Sequence, residues 1–261
     1  MTPHVPELPD LPVRPYLGTI GDELDRGGTG VLVAPPGTGK TTLVPLALAE
    51  RGLRVVVAEP RRLATRAAAG RMAELLDEPV GERVGYAVRG ERKSSPHTRV
   101  EVVTSGLLVR RLQSDPELPG VDVVVLDECH ERHLDADLLL ALLLDARAGL
   151  RPDLRVLAAS ATVAGDRLAE LLGDGHPAPV VRVDGHTHPV RTTHVTPERK
   201  ERTEQTVARA VRRALDEQSG DVLAFLPGAR EIARTGGLLD DESGVDVLPL
   251  HGRLPARDQD A

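Results

Sequence analysis

Two short stretches of this chain carry side chains whose types and spacing could do chemistry on a phosphate. The first is Ala34-Pro35-Pro36-Gly37-Thr38-Gly39-Lys40-Thr41-Thr42. It fits G-x-x-x-x-G-K-[ST] except that Ala34 stands at the first glycine. Beyond Pro36, which has no N–H and shapes the turn, successive backbone N–H groups over Gly37, Thr38, Gly39 and Thr42 can cradle phosphate oxygens, and the helix that follows adds its positive dipole end. Lys40 is placed to reach the outer phosphates, and the Thr41 hydroxyl to ligate Mg²⁺. The second stretch is Val123 to His133, VVVLDECHERH. Its apolar run ends in Asp127 and Glu128, so both acids fall at the carboxyl end of a buried strand, where open α/β sheets place their sites. We assign Asp127 to the metal and Glu128 to the attacking water. A third stretch, Ser160-Ala161-Thr162, gains its meaning from position, directly after the next strand. Read alone, the first two are also a glycine turn with a solvated lysine and an acidic pair at a helix N-terminus.

These residues need a scaffold, and the apolar pattern supplies one. Continuous Val/Leu runs at Val31, Val55, Val100, Val123, Val156 and Val180 read as strands buried on both faces. Helical stretches follow each of the first five, at 41–52, 61–76, 105–113, 134–149 and 163–173. Strict strand–helix alternation means an α/β fold with a parallel sheet and right-handed crossovers. Residues 1–25 read as an irregular lead-in with a short helix around Thr19 to Arg26, and 185–199 as a linker. From 200 a second α/β segment begins, with a helix at 199–218, a strand at 221–227 containing Phe225 as a core residue, a helix start at 228–239 and a short strand at 245–250.

Composition narrows the class. The chain has 261 residues, 40% apolar and 28% charged, a folded rather than a disordered balance. No run is long enough to span a membrane and no secretory leader is readable at the N-terminus, so the expected location is cytoplasmic. Net charge is −7, yet 51–113 holds 13 Lys or Arg against 7 Asp or Glu. Phosphate contacts on such a surface would bind nucleic acid without regard to sequence. Aromatics are nearly absent (Tyr 2, Phe 1, Trp 0), so stacked aromatic rows are not the means of binding. The single cysteine, Cys129, reads as a buried thiol. His186, His188 and His194 have no ligand partner at metal spacing, and His130 with His133 lacks the spacing of a zinc protease.

Taken together the motifs resemble the superfamily 2 helicases of the DEAH/RHA group, most of all the bacterial HrpB-type branch. APPGTGKTT is similar to the group's phosphate loop, Asp127-Glu128-Cys129-His130 to its second motif, and Ser160-Ala161-Thr162 to its third. EPRRLATRAAA from Glu59 resembles motif Ia, VGYAVRGE from Val84 a further core segment, and TSGLLVRRLQ from Thr104 motif Ib. LAFLPGAREI from Leu223 resembles motif IV and LPLHGRLPARDQ from Leu248 the segment after it. The resemblance implies a RecA-like ATP-binding domain over 26–184 and the incomplete start of a second RecA-like domain over 200–261. It implies ATP with Mg²⁺ as the nucleotide and single-stranded RNA or DNA as the partner. Arg61, Arg62, Thr104, Ser105 and Gly106 would face the strand backbone. Glu128 and His130 would be catalytic, while His130, Ser160 and Thr162 would couple hydrolysis to movement.

The group's later motifs, including the arginines that stabilise the γ-phosphate, have no counterpart in the 261 residues. Such arginines are worth about 10³–10⁵ in rate. The expectation is an N-terminal portion of a helicase that binds nucleotide, hydrolyses it slowly and does not unwind. A different phosphate-loop ATPase is an alternative against which the Asp127–His130 and Ser160–Thr162 motifs argue. A non-catalytic nucleotide- or nucleic-acid-binding fragment is compatible with the same residues.

Overall fold

The structure is a computed structural model that describes residues 9–161, 165–185, 189–252 and 254–255. Thr162, His186 and His188, singled out above, lie outside the described residues. The chain divides into two compact units, Met1–Thr187 and His188–Ala261.

The first unit is built on one eight-stranded sheet. In chain order its elements are α1 (Leu17–Gly27), β1 (Thr29–Val33), α2 (Lys40–Glu50), β2 (Val55–Glu59), α3 (Arg62–Leu75), β3 (Val84–Val88), β4 (Glu91–Lys93), β5 (Val100–Thr104), α4 (Ser105–Ser114), β6 (Val123–Leu126), α5 (Leu134–Gly149), β7 (Arg155–Ser160), α6 (Gly165–Leu172) and β8 (Val180–Arg182). The strand order is β4-β3-β5-β2-β6-β7-β1-β8. Every pairing is parallel except β3 with β4, which is antiparallel. The fold is the expected α/β class, a mostly parallel sheet with helices on both faces.

Alternate residues of each strand feed two separate cores, which is what the pleat demands of a sheet covered on both sides. Val55, Val57, Val123, Val125 and Leu157 face α1, α2 and α3 through Leu24, Leu43 and Met72. Val56, Val124, Leu126, Val156 and Ala158 face α4, α5 and α6 through Leu108, Leu139, Leu143 and Leu172. The expected strands at Val31, Val55, Val100, Val123, Val156 and Val180 all form. The hairpin β3–β4 is an addition to that reading, which took 84–91 only as a core segment. Its first strand is buried throughout, and its turn passes through Gly90 at φ 83°, a left-handed position suited to glycine.

The second unit contains α7 (Thr203–Glu217) and α8 (Ala229–Leu239), packed on each other with Arg212 donating to the Leu238 carbonyl and pairing with Glu242. The strands expected at 221–227 and 245–250 do not form among the described residues. A strand is defined by a ladder partner, and neither segment has one within this unit. Phe225, expected in a core, is instead 86% exposed for the same reason. Among the described residues no helix is long and apolar enough to cross a membrane.

Candidate functional site

Three loops meet where β1, β7 and β6 end. β7 lies between the other two, so the loop after β1 and the acids after β6 flank the end of β7. The loop is locked to that end by Ala34 N–H donating to the Ser160 carbonyl at 2.9 Å. It then turns twice through the left-handed region, at Gly37 (φ 77°) and Gly39 (φ 90°). The Thr38 hydroxyl closes the turn on the Pro35 carbonyl at 2.7 Å, and the Thr42 hydroxyl leans back on the Gly39 carbonyl at 3.4 Å. Pro36 and Gly37 form the exposed crest. Among the described residues the N–H groups of Gly37 and Gly39 have no backbone acceptor. Those of Lys40 and Thr41 open α2, where no intrahelical acceptor exists. The result is a ring of donors at the positive end of a helix, an arrangement that binds anions.

The loop reaches the acids directly. Lys40 Nζ donates to Glu128 Oε1 at 2.8 Å and lies 3.9 Å from Asp127 Oδ1, with its side chain 6% exposed. The Thr41 hydroxyl donates to Asp127 Oδ2, whose Oδ1 accepts from the Glu128 N–H at 2.8 Å. Glu128 holds a left-handed backbone, φ 54° and ψ 36°. That conformation costs a non-glycine residue about 1–3 kcal/mol and turns the chain sharply off β6. His130 Nδ1 lies 3.3 Å from Glu128 Oε2 and 3.3 Å from the Ala161 N–H. A proton on Nδ1 makes the ring a donor to Glu128; without one it accepts from Ala161. His130 therefore physically joins the β6 loop to the β7 loop, and the buried Ser160 holds the β1 loop from the same strand end.

Glu59 belongs to this cluster and was missed as a site residue. It ends β2, next to β6 in the sheet, and is 3% exposed. Burial first, then the charge and hydrogen bonding of Asp127 and the charge of Glu128, push its carboxyl up to about 9, with Lys40 opposing. The available signal was an acid at the end of a valine strand, the same signal that picked out Asp127. Because the folded value lies above the ordinary 4.5, the folded chain holds an extra proton between those limits. Stability from this group is full below about 4.5 and declines as pH rises through about 9. In chelator, a Glu59→Gln chain is expected to lose that decline; identical melting-temperature profiles for the two chains between those pH values would refute it. Beside the cluster, Cys129 is buried, donates to the Leu126 carbonyl at 3.3 Å, and has its thiol pushed up to about 12 by burial. It is a structural thiol.

The donor set suits a nucleotide with a divalent ion. A hydroxyl and a carboxylate are the hard oxygen ligands Mg²⁺ selects, and they already touch. With Glu59 protonated, the lone lysine against the carboxylates of Asp127 and Glu128 still leaves the pocket with negative charge for a cation to offset.

Arg61, Arg62, Thr104, Ser105 and Gly106 are also brought together. Thr104 ends β5 and the others follow β2 or β5, neighbours whose ends pair Glu59 with Thr104. Arg61 is exposed and ion-paired with Glu131, while Arg62 donates to the Arg89 carbonyl at 3.3 Å. Ser105 is buried, so its hydroxyl is not open at the surface. Gly106 has no side chain where the Asp135 carboxylate comes within 2.6 Å of a Cβ position. The basic excess over 51–113 does not collect here. Arg51 pairs with Asp22 and Asp25, Arg66 with Glu91, Arg71 with Glu74 and Arg83 with Glu78. Others line the opposite end of the sheet. The surface read from composition as one groove is therefore divided by tertiary pairing.

A family model described as DEAD/DEAH box helicase matches residues 20–171. The chain belongs to this family. Its similarity to the ATP-dependent RNA helicase HrpB of Escherichia coli is 46% identity over 97% of the chain, covering 31% of that protein. A probable ATP-dependent RNA helicase, the DHX35 homologue of Caenorhabditis elegans, is 33% identical over 95% of the chain and 36% of its own length. The crystal structure of the E. coli DEAH/RHA helicase HrpB superimposes with a TM-score of 0.86 at 45% identity, over 96% of this chain and 32% of that one. The chain thus spans about a third of the length of these relatives. This DEAD/DEAH family member carries the phosphate-loop, Asp127–His130 and Ser160 motifs at three adjoining strand ends, the α/β arrangement the motifs required.

Proposed function

We propose that this chain is the nucleotide-binding part of an ATP-dependent RNA helicase, with ATP and Mg²⁺ bound at the loop 34–42. The observation that carries the reading is the pair of contacts Lys40–Glu128 and Thr41–Asp127 across the end of β7. They join a donor-rich loop to acids separated from it by more than 80 residues of sequence. Lys40 and the loop N–H groups hold the outer phosphates. Thr41 and Asp127 hold the metal, which when bound offsets phosphate charge. Glu128 takes a proton from the water it orients. His130, Ser160 and Thr162 couple that step to movement, and Arg61, Arg62, Thr104, Ser105 and Gly106 contact the backbone of a single strand. In this reading 26–184 is a RecA-like domain, 185–199 a linker and 200–261 the start of a second such domain.

The test is ATP hydrolysis by the 261-residue chain with and without single-stranded RNA. We expect Mg-dependent nucleotide binding with slow turnover that RNA stimulates. Turnover indifferent to RNA and DNA would replace the helicase reading with a nucleotide-driven switch, and no nucleotide binding would end both.

A further inference from the structure

At the other end of the sheet, where the strands begin, the first unit holds a cavity of about 560 Å³, within the size range of small-molecule sites. Its floor is apolar, made by Val56, Leu107, Leu118 and Val121. Its rim is arginine. Arg54 and Arg99 immediately precede β2 and β5, which pair in parallel with Val55 beside Val100. Register alone therefore sets these arginines side by side, one strand spacing apart. Arg110 faces them from α4, with Arg92 and Arg111 nearby.

The acids on the lining are Glu101 and Asp115. Glu101 is taken up by Arg111 at 2.6 Å and Arg92 at 3.1 Å. The Asp115 carboxylate accepts the Glu117 N–H at 3.2 Å, and the nearby Asp122 carboxylate accepts the Arg54 backbone N–H at 2.7 Å. The guanidinium groups of Arg54, Arg99 and Arg110 are left without a side-chain partner among the described residues. All three are exposed, and they converge on one cavity, where a single anionic group is within reach of them together. Over the same sequence interval nearly every other arginine finds a carboxylate or a carbonyl.

We propose that this cavity is a second ligand site, separate from the loop 34–42, for an organic phosphate of nucleotide size. The arginines would take the phosphate through bidentate hydrogen bonds. The apolar floor would take a ring or other uncharged body, which bare phosphate lacks. A nucleic-acid strand fits less well, since a half-enclosed cavity with an apolar floor accommodates one unit and gives no track for a chain of phosphates. The site requires no metal, because the cations are supplied by side chains. The inference rests on the geometry of the first unit and does not depend on the helicase reading.

The experiment uses the 261-residue chain carrying Lys40→Ala, in chelator, so that the loop is silent. Calorimetric titration with ADP is expected to show one site per chain. Reversing the rim with Arg99→Glu and Arg110→Glu is expected to weaken it about tenfold or more, and Arg99→Gln with Arg110→Gln supplies the milder test should the reversal disturb folding. Placed in the chain that retains Lys40, either double variant is expected to leave Mg-dependent nucleotide binding within about twofold, because these arginines contact nothing in the loop. Pyrophosphate, with the charge but not the body, is expected to bind about tenfold more weakly than ADP. No ADP binding to the Lys40→Ala chain, or binding indifferent to both double variants, would overturn the site. Equal affinity for pyrophosphate would overturn the role of the floor. Displacement of ADP by a uridylate dodecamer at equal concentration would replace the small-ligand assignment with a strand groove.

Discussion

A Lys40→Ala chain is expected to lose Mg-dependent nucleotide binding by about ten- to a hundredfold, the equivalent of one charge-assisted hydrogen bond at roughly 1.5–3 kcal/mol. The direction follows from what surrounds the ammonium. Lys40 is nearly buried and lies against Glu128 and Asp127, so its removal deletes the phosphate donor and leaves a pocket of carboxylates facing a polyanion. Both effects act against binding. Added Mg²⁺ would offset part of the second and none of the first. The difference between fluorescent-nucleotide titrations in excess Mg²⁺ and in chelator measures it, and a Mg-dependent affinity unchanged within about twofold would sink the assignment of the loop. The variant's fold is expected to survive. The apolar contacts that hold α2, through Leu43, Val44, Leu46 and Leu48, are untouched.

Glu128→Gln should separate binding from chemistry. Glutamine keeps the size of the side chain and an oxygen that can accept from Lys40, so nucleotide affinity is expected to stay within a few-fold. It cannot take a proton from water. Loss of a positioned general base costs about 10²–10⁴ in rate. Single-turnover release of phosphate from radiolabelled ATP measures this even where multiple turnover is slow. Hydrolysis within about twofold of the unaltered chain would remove Glu128 from the reaction and shift attention to Glu59, the other acid in reach of the cluster. The pair of variants is diagnostic together. Lys40→Ala should weaken Mg-dependent binding and hydrolysis alike, Glu128→Gln hydrolysis alone.

The first-unit elements were readable because they are local. A run such as Val123–Leu126 is apolar at every position, and only a strand buried on both faces needs that. The same logic failed in the second unit. Residues 221–227 have strand-like composition, but a strand is completed by its neighbours, and the described part of that unit offers two helices and no ladder. Phe225 was assigned to a core on composition and is exposed for want of a partner. Glu59 went unassigned for a related reason. Its one local mark is an acid at the end of a valine strand; its raised carboxyl arises from burial and from Asp127 and Glu128, which follow a different strand. The arginines of 51–113 show the limit of charge counting. Charge along the sequence says nothing about whether a given guanidinium meets a carboxylate.

By itself the sequence determined the class of fold and picked out the glycine loop and the residues Lys40, Thr41, Asp127 and Glu128 that the proposed function uses. Each is written in a contiguous stretch, and the stretches taken together favour one reading over the blander ones that each allows alone. Tertiary structure decided what those stretches do to one another. Strand order is set by crossovers and long-range pairing, and it is the insertion of β7 between β1 and β6 that brings Ser160 and Ala161 to the loop and to His130. The same pairing buries Glu59 beside Asp127. At the far end of the sheet, the register of β2 on β5 sets Arg54 beside Arg99. Distances of this kind come from the packing of separate segments against a shared core, and a one-dimensional pattern carries the faces of each segment but not its neighbours.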